Sequence, residues 1–403
     1  MSNLPATQAS ESHAMSDMAS AYLDALRAAG ANLVIAAHIF ALYFGIHDPY
    51  ALGHLGVAVF FLLSGFLIMQ SMLNWLNKPE PRFAGFLADR VARIMTPYVP
   101  ALVLIALANL ALIETNHSQG GANTGLLTFI GNFLLLQDHS VFQGLEFAGI
   151  DFAWRIRPYN SAEPFWTVAI EMWIYVSMGL FFFCVLKREK IDRLLGLALA
   201  AIALPVFIWN AAAGGGKSLS LIWLLGAIAG YLFHLWRASG YANIRSVASA
   251  VALFGGVALI GRAGKIGFSP YDFQTATLIA MVMFGVLALL MCVRRTPAFL
   301  RRSVNFLASY SYSLYLIHNT ALIVVLEHVH TGSAWAHVAI AVAAAHVSAY
   351  LLYLAFERHY RIVGRWLRPK FERILAPSGT SQSTTAAANL VASGTAAASR
   401  QER

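Results

Sequence analysis

The chain has few charged residues for its length. Of its 403 residues, 12% are Asp, Glu, Lys or Arg, whereas soluble domains carry about 25%. Hydrophobic residues make up 58% of the chain. This composition excludes an ordinary water-soluble domain. Long apolar runs such as 57–69, 101–113 and 168–186 recur along the sequence, which indicates a protein that crosses a lipid bilayer several times.

Cysteine is also scarce. Cys184 and Cys292 are the two cysteines, and both lie in apolar segments without metal-ligand spacing. This excludes a disulfide framework and a cysteine zinc site, and we expect no metal and no bound cofactor. The net charge is +9, but the basic residues form short clusters between apolar runs rather than a continuous face. We therefore expect the lipid bilayer, and not nucleic acid, as the partner of this charge.

The apolar runs predict an all-α fold, a polytopic membrane helix bundle. A helix needs about 20 apolar residues to cross the bilayer, and this length predicts about ten transmembrane helices. The predicted spans are 28–46, 53–77, 95–113, 164–186, 194–212, 218–236, 246–260, 272–293, 303–326 and 333–356.

The distribution of basic residues predicts the orientation of these spans. Loops on the cytoplasmic side of a membrane are enriched in Lys and Arg. With the N-terminus inside, 23 of the 28 Lys and Arg residues fall on the inner side. The five on the outer side are Arg155, Arg157, Lys217, Arg262 and Lys265. The sequence therefore predicts cytoplasmic N- and C-termini.

The chain is predicted to hold one membrane domain, residues 21–375. Residues 1–20 and 376–403 are rich in small and polar residues and are predicted to be disordered tails, because they have little apolar surface to bury. The stretch 125–137 is apolar but too short for a full span. We interpret it as an interfacial or re-entrant piece of the long outer loop 114–163, which is suited to cover an outward-facing site.

Two ionisable residues lie deep in predicted spans. His38 follows Arg27 by eleven residues, which places it about 16 Å into the membrane at helical rise. Glu171 lies seven residues into its span from the other side, about 10 Å deep. Such residues are costly in lipid and are functional candidates. A lone histidine is as often a packing residue as a catalytic one, and the sequence leaves open whether these two residues meet as a general base with its carboxylate.

Two further segments carry polar groups with helical spacing. Arg90 and Arg93 lie one turn apart and suit a phosphorylated ligand or anchor the chain to lipid headgroups. Pro97 follows them and is predicted to start the next helix. Later in the chain Tyr312 and Tyr315 share a helical face, so a polar stripe in this segment is predicted to line a cavity.

Taken together, five sequence blocks resemble the acyltransferase-3 family of integral membrane O-acyltransferases. Each block is short, but all five occur in the family's order. They are Arg27 followed by ten residues and His38; Phe61-Leu-Leu-Ser64-Gly65-Phe66-Leu67; Arg90-Val-Ala-Arg93-Ile-Met-Thr-Pro97; Phe165-Trp166-Thr167-Val-Ala-Ile-Glu171-Met-Trp-Ile-Tyr175; and Ser311-Tyr-Ser-Leu-Tyr315-Leu-Ile-His318.

The resemblance implies an enzyme of the bacterial inner membrane that moves an acyl group, expected to be acetyl, from cytoplasmic acyl-CoA to a hydroxyl of an extracytoplasmic or membrane-associated carbohydrate. By this resemblance His38 is the catalytic base and Glu171 supports the site, while Arg27, Arg90 and Arg93 bind acyl-CoA. The residues expected to line the cavity are Ser64, Trp166, Tyr175, Tyr312, Tyr315 and His318.

Two alternatives of other classes remain open on the sequence. A proton-coupled transporter or flippase would use His38 and Glu171 as a proton relay, although we find no inverted repeat of the kind common in transporters. A haem protein would need two histidines that face one cavity. The candidates near or within spans are His54, His234, His318 and His346.

Overall fold

The computed structural model describes residues 15–113, 124–150, 155–212, 218–239, 244–293 and 296–377, and within these ranges the chain is helical, with no strand. The helices are α1 Asp17–Phe44, α2 Leu52–Leu76, α3 Arg82–Ala111, α4 Leu126–Phe133, α5 Ser140–Phe147, α6 Phe165–Gly179 with a π-helical extension Leu180–Leu186, α7 Arg193–Ala212, α8 Leu219–Ser239, α9 Ile244–Ile266, α10 Phe273–Leu290, α11 Ala298–Ser309, α12 Ser311–His328, α13 Ala334–Ala355 and α14 Tyr360–Ile374. The predicted all-α membrane bundle is confirmed.

Nine helical segments of the described residues are long and apolar enough to cross a membrane. Eight are α1, α2, α3, α6, α7, α8, α9 and α10, and the ninth begins with α13 and continues into α14. The predicted span 303–326 is not among these nine. It corresponds to parts of α11 and α12, and the helix breaks at Tyr310 between them. α12 is 18 residues long and carries His318 and Asn319, which lower its hydropathy. It packs against α1, α3 and α13, so protein rather than lipid surrounds much of it.

α2 is the central helix. It packs so closely against α8 that backbone atoms of the two helices are in contact. A Cβ added to Gly65 would stand 1.9 Å from the Trp223 carbonyl oxygen, and one on Gly226 would stand 2.1 Å from the Leu62 oxygen. Close helix approach through small residues is a common packing mode in membranes. In the apolar window of α2, 61% of the residues are buried, against 11% for α9. The bundle thus has an interior around α2 and a lipid-facing periphery that includes α9.

The prediction that Pro97 starts a helix is wrong. α3 begins at Arg82 and runs through both Pro97 and Pro100. Its first turn is held from outside the helix, because the buried Glu189 carboxylate accepts a hydrogen bond of 2.9 Å from the Phe83 backbone N–H. Farther along, Arg368 of α14 binds Asp89 with two hydrogen bonds of 2.8 and 3.0 Å. These contacts hold the part of α3 that precedes the two prolines.

Two other segments differ in detail from the sequence predictions. α1 begins at Asp17, inside the predicted tail 1–20, since the Ser16 side chain caps the helix and Ala19 is fully buried. Residues 1–14 and 378–403 lie outside the described residues. In the stretch 125–137 the structure has one eight-residue helix, α4, too short to cross a bilayer. It is fixed to α3 by the Tyr98 hydroxyl, which donates to the Asn132 carbonyl at 2.9 Å.

Candidate active site

A cavity of about 180 Å³ lies between α2, α3, α6 and α12, and α1 contributes one residue to its wall. Eight of the residues that the sequence predicts for the site line it: Arg27, Ser64, Arg90, Arg93, Glu171, Tyr175, Tyr312 and Tyr315. Much of the remaining wall is apolar, from Val57, Phe60 and Phe61. His38, Trp166 and His318 do not line this cavity.

Arg93 is held in place by an acidic partner. Its guanidinium group forms an ion pair of 3.0 Å with Glu357, a carboxylate that is 1% exposed at the turn after α13. The other Glu357 oxygen accepts hydrogen bonds from the Ser313 backbone N–H at 3.1 Å and hydroxyl at 2.7 Å. The Tyr360 ring also lies 4.8 Å from the guanidinium carbon. Arg93 therefore joins α3, α12 and the turn after α13.

Arg90 has a different environment, although it lies one turn from Arg93 on the same helix. Its Nε atom is buried and has no hydrogen-bond partner among the described residues, and no ion pair to Arg90 is formed within them. The Phe86 ring lies 5.7 Å from its guanidinium carbon. Arg27, which also lines the cavity, pairs with Asp24 of its own helix at 2.9 Å. Arg90 is thus the arginine of this wall that forms no ion pair with the described residues, and a cation without an ion-pair partner favours an anionic ligand.

Glu171 ends a chain of side-chain hydrogen bonds that links three helices. The indole Nε1 of Trp223 donates to the Ser64 hydroxyl at 3.1 Å, and the Ser64 and Tyr175 hydroxyls are 2.7 Å apart. Tyr175 donates in turn to the Glu171 carboxylate. Because an indole only donates and a carboxylate only accepts, the chain has one direction, from Trp223 to Glu171. It links Glu171 of α6 to Ser64 of α2 through the Tyr175 hydroxyl, and all three residues line the cavity.

His38 and Glu171, which the sequence leaves open as a pair, are not joined by a hydrogen bond or ion pair in the described part of the chain. His38 Nδ1 lies 2.9 Å from the Val34 carbonyl oxygen and 3.4 Å from Nε2 of His318. The two imidazole rings meet edge to face, with centroids 5.0 Å apart. The His318 ring is fully buried, and its centroid is 6.0 Å from the ring of Tyr315, a cavity residue. The histidine pair therefore lies one side-chain layer beyond the cavity.

Two residues that organise the site were not predicted from the sequence. Trp223 begins the hydrogen-bond chain to Glu171, and Glu357 holds Arg93. The sequence feature that could have indicated Trp223 is Gly65, a small residue that lets α8 approach α2 closely. This close approach places the Trp223 indole next to Ser64. For Glu357 the signal is an acidic residue within a basic segment directly after a span.

The haem alternative is not supported by the positions of its histidines. His318 is in direct contact with His38, so no space for a flat ligand separates the two rings. His346 bonds the Tyr310 hydroxyl at 3.1 Å, and His54 pairs with Asp48 at 2.9 Å. These side chains do not face one cavity. Among the residues that the structure describes, no group of three or more His, Cys, Asp or Glu residues is arranged to hold a metal ion.

The comparison with known protein families agrees with this membrane architecture. A family model described as an acyltransferase domain, that of the acyltransferase-3 family, matches residues 20–354. No curated protein and no solved structure matches the chain. The family match contains every residue of the cavity wall. The chain belongs to the acyltransferase-3 family and is a multi-pass membrane acyltransferase.

Proposed function

We propose that the protein transfers an acetyl group from cytoplasmic acetyl-CoA to a hydroxyl of an extracytoplasmic or membrane-associated carbohydrate in a bacterial inner membrane. The observation that carries this proposal is the cavity itself, which combines Arg27, Arg90 and Arg93 with Glu171 inside a membrane bundle. The arginines can bind the phosphates of the donor, and the carboxylate can accept a hydrogen bond from the hydroxyl of the acceptor. The predicted topology opens the arginine end toward the compartment that contains acyl-CoA.

Arg90 is the residue best suited to bind the donor phosphates. Arg90 forms no ion pair with the described residues, whereas Arg93 and Arg27 are already paired. Guanidinium groups bind phosphate oxygens with strong, charge-assisted hydrogen bonds. In this proposal Arg90 makes the main phosphate contact, and the two paired arginines add a positive field. The pantetheine arm then extends along the apolar wall formed by Val57, Phe60 and Phe61.

In this proposal the chemical step takes place one side-chain layer beyond the cavity, past Tyr315, where His38 and His318 meet. His38 accepts the proton of the acceptor hydroxyl as its oxygen attacks the thioester carbonyl carbon. A carbon–oxygen bond forms, the carbon–sulfur bond breaks, and the CoA thiolate receives the proton from the imidazolium of His38. Glu171, oriented by Tyr175, accepts a hydrogen bond from the incoming carbohydrate. A transient acyl-histidine is a variant of the same scheme.

The test uses cells that produce the wild-type protein, the His38→Ala protein, or neither. Mass spectrometry of their surface glycans measures alkali-labile acetyl esters. We expect these esters with the wild type and background levels with His38→Ala protein that is inserted in normal amounts. The matched control is His234→Ala, since His234 is an exposed histidine of α8. Full acetylation by the His38→Ala protein would remove this residue from the mechanism.

The same cells distinguish the transporter alternative. If glycans and small molecules are identical with and without the gene, proteoliposomes of the purified protein are tested for proton flux with a pH-sensitive dye. Flux that depends on His38 and Glu171, together with unchanged glycans, would contradict the proposed transfer reaction and support the relay.

A further inference from the structure

We propose that His318 is a positioning residue for His38: it holds the imidazole of His38 in the tautomer whose Nε2 lone pair is free to accept a proton. The inference rests on the proposed function in that it gives His38 the role of base. Its structural part, the tautomer of His38, can be measured independently of any reaction. The sequence predicted a different role for His318, as a residue of the cavity wall.

The tautomer of His318 follows from its own hydrogen bonds. Its Nδ1 atom lies 3.0 Å from the Leu314 carbonyl oxygen and 2.9 Å from the Tyr315 carbonyl oxygen. Carbonyl oxygens only accept hydrogen bonds, so Nδ1 must carry the hydrogen. In a neutral imidazole the other nitrogen is then an acceptor. Nε2 of the fully buried His318 therefore presents a lone pair to His38.

The tautomer of His38 follows in the same way. Its Nδ1 atom faces two acceptors, the Val34 carbonyl oxygen at 2.9 Å and Nε2 of His318 at 3.4 Å. Both contacts require a hydrogen on Nδ1. The neutral ring then has its lone pair on Nε2, and no described group forms a hydrogen bond to that atom. His38 is thereby prepared to act as a base through Nε2.

His318 contributes what the Val34 carbonyl cannot. The Val34 oxygen lies one turn before His38 on α1, where it also accepts the backbone hydrogen bond of the helix. It is a partner that a histidine finds on its own helix. His318 instead belongs to α12, 280 positions farther along the chain, so this contact fixes the ring of His38 relative to the cavity wall that α12 supplies. When His38 takes a proton, the hydrogen bond to His318 gains a charged donor and strengthens.

The experiment compares His318→Leu, which removes the acceptor, with His318→Gln, whose amide oxygen can still accept from Nδ1–H of His38. The acetylation rate in isolated membranes is measured against acetyl-CoA concentration. We expect His318→Leu to lower kcat about tenfold, the value of roughly one hydrogen bond, with KM for acetyl-CoA unchanged. His318→Gln is expected to remain within about twofold of the wild type. His346→Leu, a histidine bonded to Tyr310 outside the site, is the control for loss of a ring.

Nitrogen-15 NMR of histidine-labelled protein gives the second readout. The difference between wild-type and His38→Ala spectra assigns the His38 signals, which we expect to show a protonated Nδ1 and an unprotonated Nε2. Mixed tautomers in His318→Leu would support the proposal. A His38 ring protonated on Nε2 in the wild type would overturn it, as would unchanged His38 signals and kcat in His318→Leu. If His318→Leu does not fold, the wild-type spectrum and the His318→Gln rate decide. A protein without transferase activity would contradict the proposed function and leave the tautomer measurement intact.

Discussion

The arginine end of the cavity and the histidine pair beyond it differ in how their polar groups are partnered. At the arginine end, Arg90 has a buried Nε atom without a partner among the described residues. At the histidine pair, each Nδ1 atom of His38 and His318 meets acceptors, and the contacts determine one tautomer for each ring. The arginine end is therefore suited to bind an anionic ligand. The histidine pair is suited to accept a proton, because its tautomers leave a lone pair free on His38.

This difference assigns donor binding to the arginine end and proton transfer to the histidine pair. An arginine without an ion-pair partner in a low-dielectric site favours an anion, but it has no proton to exchange, because arginine stays charged. A neutral imidazole with a fixed tautomer binds phosphate weakly but can accept a proton on its free nitrogen. The two regions therefore make different predictions for substitution. Changes at the arginines should alter donor binding or folding, and changes at the histidines should alter turnover.

The largest effect is expected for His38→Ala. Loss of a general base lowers turnover by about 10²–10⁴-fold. The measurement is acetyl transfer in isolated membranes at saturating acetyl-CoA, and donor affinity should stay within about twofold of the wild type, since His38 does not line the cavity. A protein that keeps its turnover but loses donor affinity would contradict the separation of the two regions.

Arg93→Ala is expected to destabilise the fold more than it weakens donor binding. It leaves the buried Glu357 carboxylate without its cation, which costs about 3–5 kcal/mol in buried pairs. We expect about 3 kcal/mol here, because Arg93 is 34% exposed. The free energy of unfolding in a detergent titration measures it, and the Arg93→Met, Glu357→Gln double variant should recover much of the loss. Equal destabilisation by Arg90→Ala would show that the two arginines contribute equally to folding and would contradict this difference.

Arg90→Ala is expected to weaken acetyl-CoA binding by about 10–100-fold, the range for hydrogen bonds to a charged group. Its folding should change little, since no described partner is left unpaired. Arg82→Ala is the control on the same helix, because Arg82 pairs with Glu80 outside the cavity. Wild-type affinity in the Arg90→Ala protein would remove this residue from the donor site.

The smallest effect is expected for Ser64→Ala, which interrupts the chain from Trp223 to Glu171. The buried Trp223 N–H loses its acceptor, and we expect about 1–2 kcal/mol of lost stability and about a fivefold lower rate. Ser220→Ala is the matched control, since the buried Ser220 hydroxyl has no partner in the described part of the chain. Similar losses in both variants would indicate a general packing effect.

The sequence predicted the helices better than the contacts between them. Apolar runs of sufficient length define spans, so the bundle could be predicted. The spacing of Arg90 and Arg93 could also be predicted, because it depends only on their own helix. The start of α3 at Arg82 and the new helix after the break at Tyr310 involve tertiary contacts, such as Glu189 with the Phe83 N–H and Glu357 with the Ser313 N–H. These contacts join residues far apart in the chain, and local patterns do not encode them.

For the site, the family resemblance implied that Glu171 and the arginines serve one site, and the structure brings these groups to one cavity. The immediate partner of His38 was not predicted. Depth alone made Glu171 the candidate, because both residues approach the midplane. The rotation of α1 against α12 decides instead that His318 meets the ring of His38, and helix rotation is not readable from depth.

Equilibrium binding of acetyl-CoA to purified protein in lipid nanodiscs tests the separation of the two regions most directly. The wild type, Arg90→Ala and His38→Ala proteins are compared under the same salt and pH. We expect the His38→Ala protein to bind acetyl-CoA as tightly as the wild type, and the Arg90→Ala protein to bind it about 10–100-fold more weakly. Wild-type affinity in Arg90→Ala together with lost affinity in His38→Ala would contradict it.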